Sequence, residues 1–408
     1  MATTGLERMA TAEINRAGGR VRRPAGAEQI DIAYVRPTPS NGTPLVAIPG
    51  GPGMGSIVPY RSLRRRAVRD GVDILMMEHR GVGASRKTLS GNDIAMDAVT
   101  IGAVVDDLAA VLDHAGIERA VIYGTSYGTY LAQVFGVRHP DRVAAMVLDS
   151  PMLSAEGDVA VIRRFLRGLL LDGPSSLATA VRSLLSADLV PIAGLNHVVQ
   201  VVYEFAGPTA AERLVRARLD GRGKLAWRRI AALGEIEVAG DGRRFIVEPD
   251  LVAGIAHGEL GLSHNPDGLP FDPVSTYLRD DAPRFQGEPE DLPATLPAFD
   301  WPTAVISGDR DLRTPRPVAD QVTELIPDAV LVPIADMAHS ALDTHPLAAL
   351  AVARAALDGT LHADGLSARI ATLPRKGPSS LLGPLIRAGI NLDLAVSGAR
   401  QRIKAARG

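Results

Sequence analysis

The 408-residue chain has no cysteine. That excludes a thiol nucleophile, a thiolate metal site and a disulfide framework, so any covalent chemistry must use another nucleophile. Lysine is nearly absent, present only as Lys87, Lys224, Lys376 and Lys404, and the positive charge is almost all arginine. The formal net charge of -2 gives no global pull toward nucleic acid or an anionic membrane. No span of eighteen apolar residues occurs, so no membrane-crossing helix is expected. The first twenty-five residues are polar, with Arg8, Arg16, Arg20, Arg22 and Arg23 and no apolar core of a signal peptide, and a cytoplasmic chain is the expectation. Aromatics are only 4% of the residues, yet 46% apolar content suits a sizeable core, and the length suggests two or three domain-sized units.

What is present is organised about Ser126. Val121, Ile122 and Tyr123 read as a buried strand, and Leu131, Val134 and Phe135 follow at helical spacing, which puts Ser126 on a strand-to-helix turn. Gly124 and Gly128 flank it at minus and plus two, where a sharp turn without a Cβ lets the hydroxyl project from the top of a sheet. The bare GxSxG string also suits a purely structural turn. The strand before it and the helix after it are what favour a nucleophile.

Strand and helix patterns alternate on either side. Residues 1–29 read as a polar arm. Ile30–Val35 alternates like a half-exposed strand, and Leu45–Ile48 is a short apolar strand ending in PGGPGMGS, Pro49–Ser56. A helix over Tyr60–Arg69 and a strand over Val72–Met77 lead to EHRGVGAS, Glu78–Ser85. Ile101, Val104, Val105, Leu108, Val111 and Leu112 mark an amphipathic helix, and Val143–Leu148 is the next strand. Over 30–150 this predicts an α/β fold, a mostly parallel sheet with helices on both faces.

From Pro151 helices succeed one another, with a capping box at Thr209 and Glu212, an Asp241-Gly242 hairpin turn and a proline- and acid-rich linker over Glu288–Pro297. Residues 151–299 therefore read as an inserted, mainly helical cap. Strands return over 300–358 as Thr303–Ile306 and Ala329–Ile334, with a helix capped by Thr314 and Pro315 between them. The tail, 359–408, carries eight Arg or Lys against Asp364 and Asp393, with apolar Leu381, Leu382, Leu385, Ile386, Ile390 and Leu392. It reads as a mobile tail or a helix folded back on its own domain; the alternative is an amphipathic arm for a partner subunit or a membrane surface.

A serine hydroxyl attacks only when a base removes its proton, and the base needs a partner that fixes its tautomer. Asp309 and Asp311 follow one late strand and His339 follows the next, giving the chain order Ser, Asp, His. Asp311 is preferred because Asp309 lies nearer the strand end, where it suits loop capping. Asp149 is a further acid, better suited to bonding local backbone. An oxyanion needs two N–H donors, one expected from Tyr127 and the other from the PGGPG loop at Gly51. No metal and no cofactor are implied.

IPGGPG, EHRGVGAS, GTSYG, GDRDLRTP and MAHS, in that order, resemble the proline iminopeptidase branch of the α/β-hydrolases, tripeptidyl aminopeptidase-like members included. The resemblance covers Ile30–Pro151 and Trp301–Leu357. It implies Ser126 as nucleophile, Asp311 and His339 as its partners, Gly51 and Tyr127 as oxyanion hole, and a helical cap between the sixth and seventh strands. Two positions depart from the pattern: Pro49 stands where the family loop has histidine, and Glu78 where it has aspartate. Family aminopeptidases hold the substrate's amino group with cap carboxylates. Glu204, Glu235, Glu237 and Glu259 are the candidates here, and Glu259 is chosen, against the alternative that each lies on a solvated helix face.

The expected function is a serine hydrolase working through an acyl-enzyme, an aminopeptidase on small peptides. The alternative is a carboxylesterase, thioesterase or amidase on a small apolar ester or amide, and a second alternative is a hydrolase fold kept as a non-catalytic binding module. No nucleic-acid partner is expected.

Overall fold

Eight strands form: β1 (Gly18–Ala25), β2 (Glu28–Val35), β3 (Leu45–Ile48), β4 (Ile74–Met77), β5 (Ala120–Thr125), β6 (Val143–Asp149), β7 (Thr303–Gly308) and β8 (Ala329–Ile334). In this computed structural model, which describes residues 4–238 and 242–405, they make one sheet in the order β1-β2-β4-β3-β5-β6-β7-β8. β1 with β2 and β2 with β4 are antiparallel, and every pair from β4 across to β8 is parallel. Successive side chains of a strand point to opposite faces. β5 accordingly sends Ala120 and Ile122 into one core and Val121 and Tyr123 into another. Helices Ile101–His114, Tyr127–Arg138 and Arg316–Leu325 cover the first core, and Arg61–Arg69 and Pro346–Leu357 cover the second. The short all-apolar runs of β3 and β4 follow from burial on both faces.

Of the polar arm, residues 4–29 are built into the fold. Thr4 and Glu7 form a capping box that opens helix Gly5–Ala17, and β1 pairs along its whole length with β2. The polar composition is accounted for by specific partners: Glu13 accepts from Arg61 at 2.9 Å, and Arg23 donates to the buried Asp107 at 3.0 Å. The linker over Glu288–Pro297 is likewise structured. It contains helix Leu292–Thr295, with Leu292 and Leu296 buried, and Glu290 pairs with Arg138.

The insertion between β6 and β7 contains helices Ala155–Arg167, Ser176–Ser186, Ile192–Ala206, Pro208–Leu219 and Lys224–Val238. Thr209 and Glu212 do not form a capping box. Pro208 opens that helix after Gly207, and Glu212 accepts from Ser176 Oγ and Arg216 Nε. Asp241 of the expected hairpin turn lies outside the described residues. Beyond it, Arg243 bridges to Val247, and Val247 bridges to Met54, so a strap from the cap lies on the PGGPGMGS loop. The tail ends in helix Leu382–Ala405, which folds back onto cap helices Ile192–Ala206, Pro208–Leu219 and Lys224–Val238.

Candidate active site

All the candidate groups except the cap carboxylates follow the C-terminal ends of strands, where open α/β sheets leave a crevice. Ser126, immediately after β5, has φ +53° and ψ −125°, a conformation that a non-glycine residue holds only when its surroundings enforce it. Those surroundings are backbone. A Cβ at Gly124 would lie 2.1 Å from Gly128 O, and one at Gly128 would lie 2.4 Å from Ile48 O and 2.6 Å from Pro49 O. The elbow and the loop after β3 thus meet main chain to main chain. A Cβ at Gly50 would come within 3.1 Å of Ser126 Cβ and 3.7 Å of its Oγ, which places that loop against the hydroxyl.

Tyr127 is the first residue of helix Tyr127–Arg138, so its N–H has no carbonyl four residues back to bond. Gly51 has φ +128°, and a Cβ there would be 2.7 Å from Gly53 N. Below them, His79 Nδ1–H donates to Arg80 O at 2.6 Å and its Nε2 accepts from Tyr127 Oη at 3.0 Å. Burial pushes the His79 pKa down to about 4 and keeps the ring neutral, as that pair of bonds requires. This buried ring thereby supports the side chain of Tyr127.

The structure brings Asp311 and His339 together. His339 Nδ1–H donates to Asp311 Oδ1 and Oδ2 at 3.1 and 3.0 Å, which leaves Nε2 as the acceptor of the neutral ring. Asp311 is buried and also accepts from the N–H groups of Arg313 and Thr314 at 2.9 and 3.0 Å. The Thr314 hydroxyl does not cap the following helix, whose N-cap is Pro315. It donates to Asp311 Oδ2 at 3.2 Å.

Hydroxyls that carried no signal of their own tie this pair to Ser126. Thr125 Oγ1, next to Ser126, donates to Ser340 Oγ, next to His339, at 2.8 Å, and Ser340 N donates to Ser150 Oγ at 2.9 Å. Asp149 does more than bond local backbone. Its carboxylate accepts from Ala341 N, Leu342 N and Tyr123 Oη, and its carbonyl accepts from Ser126 N, so one residue grips both the elbow and the histidine loop.

The cap carboxylates sort differently from expectation. Glu259 Oε2 accepts from Ile101 N at 2.8 Å and so caps helix Ile101–His114, which accounts for its charge without a substrate. The side chains of Glu235 and Glu237 lie outside the described residues. Of the described cap candidates, Glu204 reaches the pair. Its Oε1 accepts from Leu312 N at 3.2 Å, while its buried Oε2 carries no hydrogen bond and lies 3.7 Å from Arg313 Nε. Burial raises its pKa, opposed by Arg313.

A serine on a strained elbow, a histidine fixed by a buried aspartate, and the unpaired N–H of a helix's first residue beside a glycine loop can together perform acyl transfer. The model of the family described as alpha/beta hydrolase fold matches residues 43–186. Together with the sheet order and the insertion point of the cap, that match shows the α/β-hydrolase fold. Among its relatives, a probable proline iminopeptidase of Streptomyces coelicolor is 28% identical over 183 residues, 44% of this chain and 53% of that protein. The chain thus spans about half the length of that relative. A probable proline iminopeptidase of Leptolyngbya boryana is 23% identical over 320 residues, 78% of this chain and 88% of that one. The solved proline iminopeptidase of Mycobacterium smegmatis superposes with a TM-score of 0.47 at 19% identity, covering 85% of this chain and 100% of that one.

Proposed function

We propose that this chain is a serine hydrolase working through an acyl-enzyme, and that it releases the N-terminal residue of short peptides. The observation that carries the reading is the Asp311–His339 pair joined through Ser340 to Thr125, the residue before Ser126. His339 Nε2 takes the hydroxyl proton as Ser126 Oγ attacks the scissile carbonyl, and the N–H groups of Tyr127 and Gly51 receive the oxyanion. The C–N bond then breaks, the leaving amine takes the proton from His339, and water, deprotonated by the same ring, releases the acid and restores the serine.

Glu204 supports an amine-bearing substrate, because an ammonium group beside its buried carboxylate, whose Oε2 carries no hydrogen bond, would favour the charged form that burial alone disfavours. The proline iminopeptidases among the relatives support it too. Arg313 favours the second reading. Its Nε, 3.7 Å from Glu204 Oε2, offsets that charge and suits an uncharged ester, thioester or amide.

The deciding measurement is a pair of initial rates, on a prolyl or alanyl arylamide and on a short-chain nitrophenyl ester, with Ser126→Ala as blank. Arylamide turnover that falls at least about 10³-fold in the variant supports the aminopeptidase. Equal turnover of an N-acetylated peptide sinks it, and ester turnover alone selects the second reading. Failure of a fluorophosphonate to label Ser126 overturns the serine mechanism and leaves a binding module.

A further inference from the structure

The C-terminal helix has two apolar faces, and the fold uses one. Ile390 and Leu394 are buried against the cap. Polar contacts fix the helix in that orientation. Asp393 Oδ2 accepts from Leu225 N and Ala226 N at 3.0 and 2.8 Å, capping helix Lys224–Val238, and Arg213 Nη1 donates to Asn391 Oδ1 at 2.7 Å. The opposite face carries Leu385, Leu392 and Val396, with Leu381 in the turn just before the helix. Their spacing of four, seven and four residues lines them along one side. These four are 59%, 64%, 68% and 43% exposed in chain order, and Leu382 beside them is 41% exposed. Ala388 and Ala395, both exposed, continue the stripe.

The helix itself carries Arg387, Arg400, Arg402 and Lys404 against Asp393, a net +3, and the whole tail is basic. From Gly359 onward the chain has eight Arg and Lys against two Asp, a net +6 in a molecule of net -2, so the preceding 358 residues carry -8. We propose that the outward stripe of this helix is a peripheral docking surface for an anionic lipid bilayer, on which the molecule lies by its cap side.

Three observations select that occupant. An apolar stripe on a positively charged element is the combination that partitions into an anionic interface, the aliphatic side chains entering the acyl boundary and the cations meeting the headgroups. The five half-exposed aliphatic side chains amount to a patch on the order of 500 Å², large enough to mark an interaction site. A stable dimer buries about 800 Å² per partner, which this stripe does not supply. The helix is also already folded and docked, so binding a bilayer orders no new segment. No helix among the described residues is long and apolar enough to cross a membrane, and this one would lie in the interface plane. The inference goes beyond the hydrolase reading and does not depend on it.

The test is co-sedimentation of the full chain with phosphatidylcholine vesicles with and without phosphatidylglycerol, beside the double variant Leu385→Ser/Leu392→Ser. Both leucines are exposed, so the variant should melt at the wild-type temperature. Binding that requires the anionic lipid, weakens as NaCl rises, and falls at least about tenfold in the variant supports the proposal. No binding to anionic vesicles, or equal binding by the variant, overturns it. A dimer in sedimentation velocity that becomes monomeric in the variant also overturns it and assigns the stripe to a second copy of the chain.

Discussion

At Asp311, burial and pairing oppose one another. Burial raises its pKa, but the His339 ring, the Thr314 N–H and the Ser150 hydroxyl stabilise the charged form and hold it below the usual carboxylate value. Burial pushes His339 down, while Asp311 and Glu204 push it up against Arg313, and the ring ends above its usual 6.5. A base must be neutral to accept a proton, so kcat/KM should rise with pH on an acidic limb lying above 6.5. Asp311→Asn should move that limb to lower pH and reduce kcat by about 10³–10⁴-fold. A rate–pH profile with the limb unmoved would remove Asp311 as the partner. The placement of Ser126, Asp311 and His339 after strands was legible in the sequence because each follows an apolar run. Ser340, Ser150, Thr125 and Thr314 were not, since hydroxyl contacts between distant loops leave no period in a chain. Glu204 and Glu259 both read as cap acids in the sequence, and what separates them is tertiary packing, which spacing does not encode.

Between elements, the strap after the last long cap helix matters most to the site. Gly55 N donates to Ile246 O and Glu248 N to Gly53 O, so the strap holds the loop that carries Gly51. Glu248 anchors the strap. Its Oε1 accepts from Gly83 N and Phe245 N at 2.8 and 2.7 Å, and its Oε2 pairs with Arg86 and Arg244 at 3.2 and 3.0 Å. Glu248→Ala strips buried donors of their acceptor and should cost about 2–4 kcal/mol. It should also lower kcat more than it changes KM, because the loop would lose its fixed geometry while the rest of the cap stays in place. Urea unfolding together with steady-state kinetics measures both, and wild-type values in the variant would show that the strap is a bystander. The sequence offered only an Asp-Gly turn here, because two isolated bridges are too short to produce an alternating pattern. The N-terminal helix and β1 were hidden for a different reason. Their arginines and glutamates resemble a solvated arm until Asp107 and Arg61 are found opposite them.

For the molecule as a whole, buried carboxylates should set the response of stability to pH. Burial pushes Glu78 up to about 7, with Glu248 adding and the Ser56 and Ile57 N–H groups opposing. Burial likewise pushes Asp158 to about 7 and Asp149 to about 6, each opposed by backbone N–H groups. For all three the folded pKa lies above the unfolded one, so between the two values the native state holds a proton that the unfolded state has lost. Their contribution is intact below the unfolded values of 3.8 to 4.5 and is lost as pH rises toward 7. His339, with its raised pKa, also loses stability as pH rises, starting from its unfolded 6.5 and continuing through its folded value. His79 acts the other way. Its ring is neutral in the fold while the unfolded ring is charged, so stability rises between about 4 and 6.5. Asp311, held low, loses its contribution only as pH falls below 3.8. Burial also lowers His139, His257 and His345, which act with His79, but it raises Asp107, Glu204, Glu259 and Glu288 as well. The raised acids outnumber the lowered histidines among the described residues, so the melting temperature should peak on the acidic side of neutrality, near pH 5, and be lower by a few degrees at pH 8. Glu78→Gln keeps a carbonyl acceptor for Ser56 N, which donates to Glu78 Oε1 at 2.8 Å, but removes the charge. It should raise the pH 8 melting temperature, by roughly 1–3 kcal/mol of stability, and leave the pH 5 value nearly unchanged. Scanning calorimetry of both proteins from pH 5 to 8 measures this. A melting temperature that climbs steadily to pH 8 in the wild type would mean that these carboxylates ionise inside the fold at little cost.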